Sequence, residues 1–112
     1  MTTRQELAET LTGIDGYHIS PYYRQTTKPG DGFITITDLT RDTSGIGWME
    51  TWQIVIILGQ DLHAAERRFE NDIDTLVDTA STILHVANVT LTTLTLDTHT
   101  LSAVIIDGRI GH

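Results

Sequence analysis

The hydrophobic pattern of the chain changes period at Gly59-Gln60. Before that break, in WMETWQIVIIL (48–58), Trp52, Ile54, Ile56 and Leu58 fall on one side and Val55 and Ile57 on the other. A period of two belongs to a strand. The second half is apolar on both sides, which predicts a central strand covered on both faces. After the break, Leu62, Ala65, Phe69, Ile73, Leu76, Ala80 and Ile83 recur every three or four residues. That spacing predicts a long amphipathic helix over 62–84, with one apolar stripe. Asp72, Asp74, Asp78 and Ser81 fall on its flanks or far face.

The rest of the chain is read in the same way. Leu7 and Leu11 are four apart with Ala8 beside them, which predicts a short helix over 3–12 that stops at Gly13. Thr3 is its expected N-cap, with Glu6 completing a capping box. YHISPYY (17–23) reads as a short extended segment, and Pro21 places it at an edge or a bend. KPGDG (28–32) is a turn cluster. FITITDL (33–39) alternates, with Ile34 and Ile36 on one face and Phe33, Thr35 and Thr37 on the other. TRDTSGIG (40–47) reads as a loop.

VTLTTLTL (89–96) and LSAVII (101–106) predict two strands around a turn at DTHT (97–100). Alternation slips at Thr92-Thr93, because Val89 and Leu91 are odd while Leu94 and Leu96 are even. A one-residue slip reverses faces, so a β-bulge is expected there. Asp107-Gly108 is expected to end the last strand, leaving RIGH as a tail. The whole predicts a single α+β domain over 1–112. Its sheet is mainly antiparallel, with about four to five strands. The short N-terminal helix and the long amphipathic helix pack on one face.

Composition narrows the function classes. The chain has 112 residues, enough for one core, with 39% hydrophobic and 20% charged residues. Its many threonines suit half-buried pleated surfaces. A net charge of −8 disfavours sequence-specific binding to phosphate backbones and adhesion to anionic membranes. With no cysteine there is no disulfide, thiol nucleophile or cysteine-type zinc site. A cytosolic setting is the default expectation. MTTRQELAET lacks the apolar core of a signal peptide, and Ile54–Leu58 is too short to span a bilayer.

One short polar stretch, DLHAAERR (61–68), brings two carboxylates and an imidazole within six residues. Asp61 stands where an N-cap belongs, its carboxylate accepting from the backbone N–H of His63 or Ala64. Arg68 and Asp72 are four apart and Arg67 and Glu70 three apart, spacings that allow surface pairing. Asp61, His63 and Glu66 also compose the one candidate metal or acid–base group. A metal would need further ligands from elsewhere, and His18, His85, His99 and His112 stand in no paired-ligand spacing. His85 follows the long helix, where its C-terminal dipole could be felt. No phosphate-binding glycine loop and no G-x-S-x-G elbow is present, and Ser20, Ser44, Ser81 and Ser102 have no neighbouring base in sequence. No catalytic, cofactor or metal residue is assigned, and the chain is not expected to be an enzyme.

Aromatic residues beside arginine recur at interface hot spots. Tyr17, Tyr22 and Tyr23, with Arg24, are therefore candidates for contact with another subunit, though one or two of the tyrosines can equally pack on a sheet edge with the hydroxyl in water. Arg41, Asp42 and Trp48, in and beside the small-residue loop, and His63 and Arg67 on the long helix are further candidates.

The element order carries a resemblance. A short helix leads to an extended segment, a Pro-Gly turn and an alternating strand. Then come W52-Q-I-V-I-I-L58, a D-x-x-x-A helix start from Asp61 to Ala65, a long amphipathic helix and a closing hairpin. Over nearly its whole length this resembles the tail terminator proteins of long-tailed bacteriophages. The resemblance rests on lengths and alternation more than on fixed residues. It implies a structural protein without catalytic residues. Such subunits form a ring, usually six-fold, that caps the tail tube, ends its polymerisation and meets the head-completion proteins. It further implies a tail tube protein and a head-completion or neck protein as partners, and no membrane. The implied location is the virion tail or neck, with synthesis in the host cytoplasm. A negative lumen would let DNA pass without holding it. A metal-binding domain built on Asp61, His63 and Glu66, and an α+β adaptor of a cellular complex, are the competing readings.

Overall fold

The computed structural model describes residues 3–26, 28–41, 48–96 and 99–111, with the side chains of residues 3, 38–41, 48, 96, 99 and 111 outside that description. The elements run α1 (Thr3–Thr12), β1 (His18–Ser20), β2 (Asp31–Arg41), β3 (Trp48–Gly59), α2 (Leu62–Ala80), β4 (His85–Leu96) and β5 (His99–Gly111). They form one five-stranded sheet in the order β1-β2-β3-β5-β4. Only β1–β2 is parallel; the other three pairs are antiparallel. This is the α+β arrangement expected from the sequence.

The alternation of β3 sorts its residues as read. Trp52, Ile54, Ile56 and Leu58 join Ile34, Val104 and Ile106 in the main core, against Leu7 and Leu11 of α1 and Ala65, Leu76 and Ala80 of α2. Each large side chain buried there contributes at most about 1.5–3 kcal/mol. Val55 and Ile57 face the other way and form a second cluster with Leu101 and Ala103, flanked by Phe33, Leu94 and Ile105. Among the described residues, no helix residue belongs to that second cluster. Both helices therefore lie on one face, while the centre of the other is buried by the sheet's own side chains.

Four expectations are corrected. The long helix ends at Ala80, not at residue 84. Beyond it the chain tightens: the Thr82 N–H donates to the Thr79 carbonyl and the Ile83 N–H to the Ala80 carbonyl. The Thr82 hydroxyl also donates to the Thr79 carbonyl at 2.7 Å. A hydroxyl that competes for a helical carbonyl favours a turn over continuation. Ile83 thus lies on a turn, and His85 is the first residue of β4 rather than a helix-end residue. Leu62, expected in the buried stripe, is 56% exposed, as the first residue of a helix whose buried residues begin at Ala65.

No bulge occurs at Thr92-Thr93. β4 and β5 pair without a break from Asn88↔Asp107 to Leu96↔His99, and the register shifts between Val86 and Asn88 instead. The slip in alternation has another cause: Leu91 packs on the helix-side cluster and Leu94 on the opposite one. Finally, three strands are longer than read, and β4 already begins at His85. β5 continues through Asp107-Gly108. Gly108 is needed as a strand residue rather than a terminator, because a Cβ there would lie 2.9 Å from Leu84 Cδ1. β2 likewise runs on to Arg41, and residues 42–47 of the expected loop lie outside the described residues. Thr3 belongs to α1, and the capping contact expected of its side chain lies outside the described residues.

Candidate functional site

Asp61 is the N-cap of α2. Its Oδ1 accepts from the His63 N–H at 3.0 Å and the Ala64 N–H at 3.4 Å. Those bonds satisfy donors that the first helical turn leaves open. His63, Glu66 and Arg67 are exposed along the same start of the helix. Among the described residues, no group of three or more His, Asp or Glu side chains is placed to hold a metal ion. Of the two expected ion pairs, Arg68–Asp72 forms at 3.9 Å. Arg67 and Glu70 are both exposed, and no ion pair between them is found among the described residues.

Arg68 and Asp72 do more than pair. The Tyr17 hydroxyl donates to Asp72 Oδ2 at 2.6 Å and accepts from Arg68 Nε at 3.1 Å. Arg68 Nη2 donates to the Gly16 carbonyl at 2.7 Å, and its guanidinium lies 4.6 Å from the Tyr17 ring centre. This cluster ties the segment after α1 to α2. Gly30 packs beside it with φ +92°, and a Cβ there would stand 2.8 Å from Arg68 Nη2 and closer still to the Gly16 carbonyl. Burial first, and then the hydrogen bond to Asp72, raise the pKa of Tyr17, while Arg68 opposes the shift. The arrangement ties the loop after α1 to α2. Tyr17, an interface candidate by sequence, is instead buried against α2 at 5% exposure; the Arg68/Asp72 spacing is legible in the sequence, and their partnership with the distant Tyr17 is not.

The candidate interface residues fall into separate patches. Tyr22 and Tyr23 are 61% and 64% exposed. The Arg4 guanidinium lies over the Tyr22 ring at 4.4 Å and near Trp52 at 5.3 Å. Arg4 Nη1 also donates to the carbonyls of Pro21 and Ile34, at 3.0 and 3.2 Å. Tyr22 is thus held by α1, and sequence spacing gave no hint of Arg4. Tyr23 meets Phe33 edge-on at 4.9 Å, on the face without helices. Arg24 is exposed. His63 and Arg67 lie exposed on α2. Arg41 and Trp48 pair across β2 and β3, their side chains outside the description, and Asp42 lies outside the described residues.

The two edges of the sheet differ sharply. β1 has three residues, and the Thr12 hydroxyl accepts from the Ile19 N–H at 3.0 Å and donates to the Ile19 carbonyl at 3.3 Å. β4 has twelve residues and pairs on one side only. Among the described residues no side chain caps its other side. Next to it, on the helix side, an open groove of about 360 Å³ is lined by Leu62, Glu66, Leu91, Thr92, Thr93 and Ser102.

No helix among the described residues is long and apolar enough to cross a membrane. No protein-family model matches the chain, and no curated protein matches it either.

Proposed function

We propose that this chain is a structural, non-enzymatic subunit of a bacteriophage tail or neck, of the tail-terminator kind. In this reading copies assemble as a ring, of six subunits by analogy, on the end of the tail tube and offer a surface to a head-completion protein. The observation that carries the reading is the element order: α1, a short extended segment, two paired strands, one long helix on a single face, and a closing hairpin. That is the order on which the resemblance to tail terminators rests. Exposed aromatic side chains at Tyr22 and Tyr23 support an interaction role. So does the acidic balance, −8 over 112 residues, in a ring through which DNA must slide without sticking. A ring is a head-to-tail assembly, so two different surfaces of each copy must meet. The tyrosine segment and the exposed start of α2, with His63 and Arg67, are the proposed pair.

Negative-stain electron microscopy of the purified protein, alone and mixed with tail tubes, tests this. The expected result is discrete rings, or caps on tube ends that stop elongation. Tubes that grow to the same length with and without the protein, and no rings at high concentration, would reject it.

A further inference from the structure

The sheet has one sealed edge and one open edge, and hydrogen bonds fix which backbone groups the open edge offers. The Gly30 N–H donates to the Ile57 carbonyl, so Ile57 and every second residue of β3 turn toward β2. Ile54 and Ile56 then turn toward β5, where they face Ile106 and Val104. Ala103, Ile105 and Asp107 therefore turn toward β4, opposite Thr92, Thr90 and Asn88. The residues between them, Val89, Leu91, Thr93 and Thr95, direct their N–H and C=O groups outward. The ladder is regular throughout this stretch, with the one shift lying before Asn88.

Natural edge strands are usually blunted by charge, proline, a bulge or a cover. β1 is short and capped by Thr12. Among the described residues β4 has none of these devices over Asn88–Leu96: the ladder is regular, no element pairs with its outer side, and NVTLTTLTL contains no charged residue and no proline.

We propose that β4 is the pairing edge for a second copy of this chain, joining two sheets through antiparallel β4–β4 contact about a two-fold axis. Three observations select this occupant. A strand meeting itself about a two-fold axis perpendicular to the sheet is antiparallel, the sense of every β-pair here except β1–β2. Each copy carries −8, so two copies meet most easily where neither has charge, and residues 86–96 are such a stretch. The groove beside β4 supplies the side-chain contact that strand addition needs: exposed Leu62 and half-buried Leu91 line it, and the one charge in its lining, Glu66, lies on α2 and not on the strand. This contact is isologous and separate from the head-to-tail contacts of a ring, so it does not rest on the function proposed above.

Hydrogen exchange of the full chain at low and high protein concentration is the decisive measurement, with sedimentation run in parallel. The amides of Val89, Leu91, Thr93 and Thr95 are expected to exchange more slowly as concentration rises, together with a shift from monomer to dimer. Thr93→Pro removes only an outward N–H, so the fold should persist while the dimer Kd rises about tenfold or more. If that variant fails to fold, the exchange pattern of the native chain still decides. Exchange at these amides that is independent of concentration would overturn the proposal. So would a dimer unaffected in folded Thr93→Pro, or protection that appears only on adding a different protein. Rings formed with these amides unprotected would reject β4 pairing while leaving the ring intact.

Discussion

The Thr12 hydroxyl closes both outward backbone groups of Ile19, accepting from its N–H at 3.0 Å and donating to its carbonyl at 3.3 Å. One side chain at the end of α1 thereby seals the outer edge of β1. Thr12→Val keeps the shape and removes the partner. It should cost about 1 kcal/mol and speed exchange of the Ile19 amide. Urea unfolding and hydrogen exchange check both. An unchanged Ile19 amide would mean the seal is not needed.

Tyr17 gives the fold a pH dependence at the alkaline end. Its phenol is neutral while it donates to Asp72, and its pKa is raised above the ordinary 10.0. A pKa raised by folding contributes stability below the unfolded value, and that contribution is lost as pH rises through the folded value. Melting temperature should therefore be insensitive to this group at neutral pH and fall above about pH 10. Tyr17→Phe should flatten that fall and cost about 1 kcal/mol at neutral pH. Thermal melts of both proteins across the alkaline range test it.

Arg4 joins α1 to the Pro21 and Ile34 carbonyls and to two aromatic rings. Arg4→Ala should destabilise by about 1–2 kcal/mol and change tryptophan emission through Trp52. Arg4→Lys should recover only part of this, because an ammonium has no planar fork to serve two carbonyls and stack at once. Denaturant titration followed by fluorescence measures both effects.

Two leucines at helical spacing from the same stripe should behave differently. Leu76 is 1% exposed and Leu62 is 56% exposed. Leu76→Ala should cost about 2–5 kcal/mol through the cavity it leaves. Leu62→Ala should stay within about 0.5 kcal/mol in the monomer. Chemical unfolding at low protein concentration makes the comparison.

Periodicity within the chain was enough to give the α+β class, the central strand β3 and the buried face of α2. It was also enough for the Asp61 cap, because a cap joins residues two and three positions apart. Each of these is a local relation between neighbours. Misreadings came where local pattern met distant packing. Thr92-Thr93 looked like a bulge, yet the strand is regular and its leucines serve two clusters on opposite faces. Gly108 looked like a terminator, yet it makes room for Leu84. The Tyr17–Arg68–Asp72 cluster spans 55 positions and the Arg4 contact with Ile34 spans 30, distances at which sequence pattern carries no signal. The same holds for the edges of the sheet. The sequence by itself determined where the strands lie, though not where β2, β4 and β5 begin or end. Only the tertiary structure decided that β1 and β4 are the outermost ones, that Thr12 seals the first, and that among the described residues the second is left open. Strand order follows from long-range pairing, and a backbone group is free or satisfied only once its neighbour in space is known.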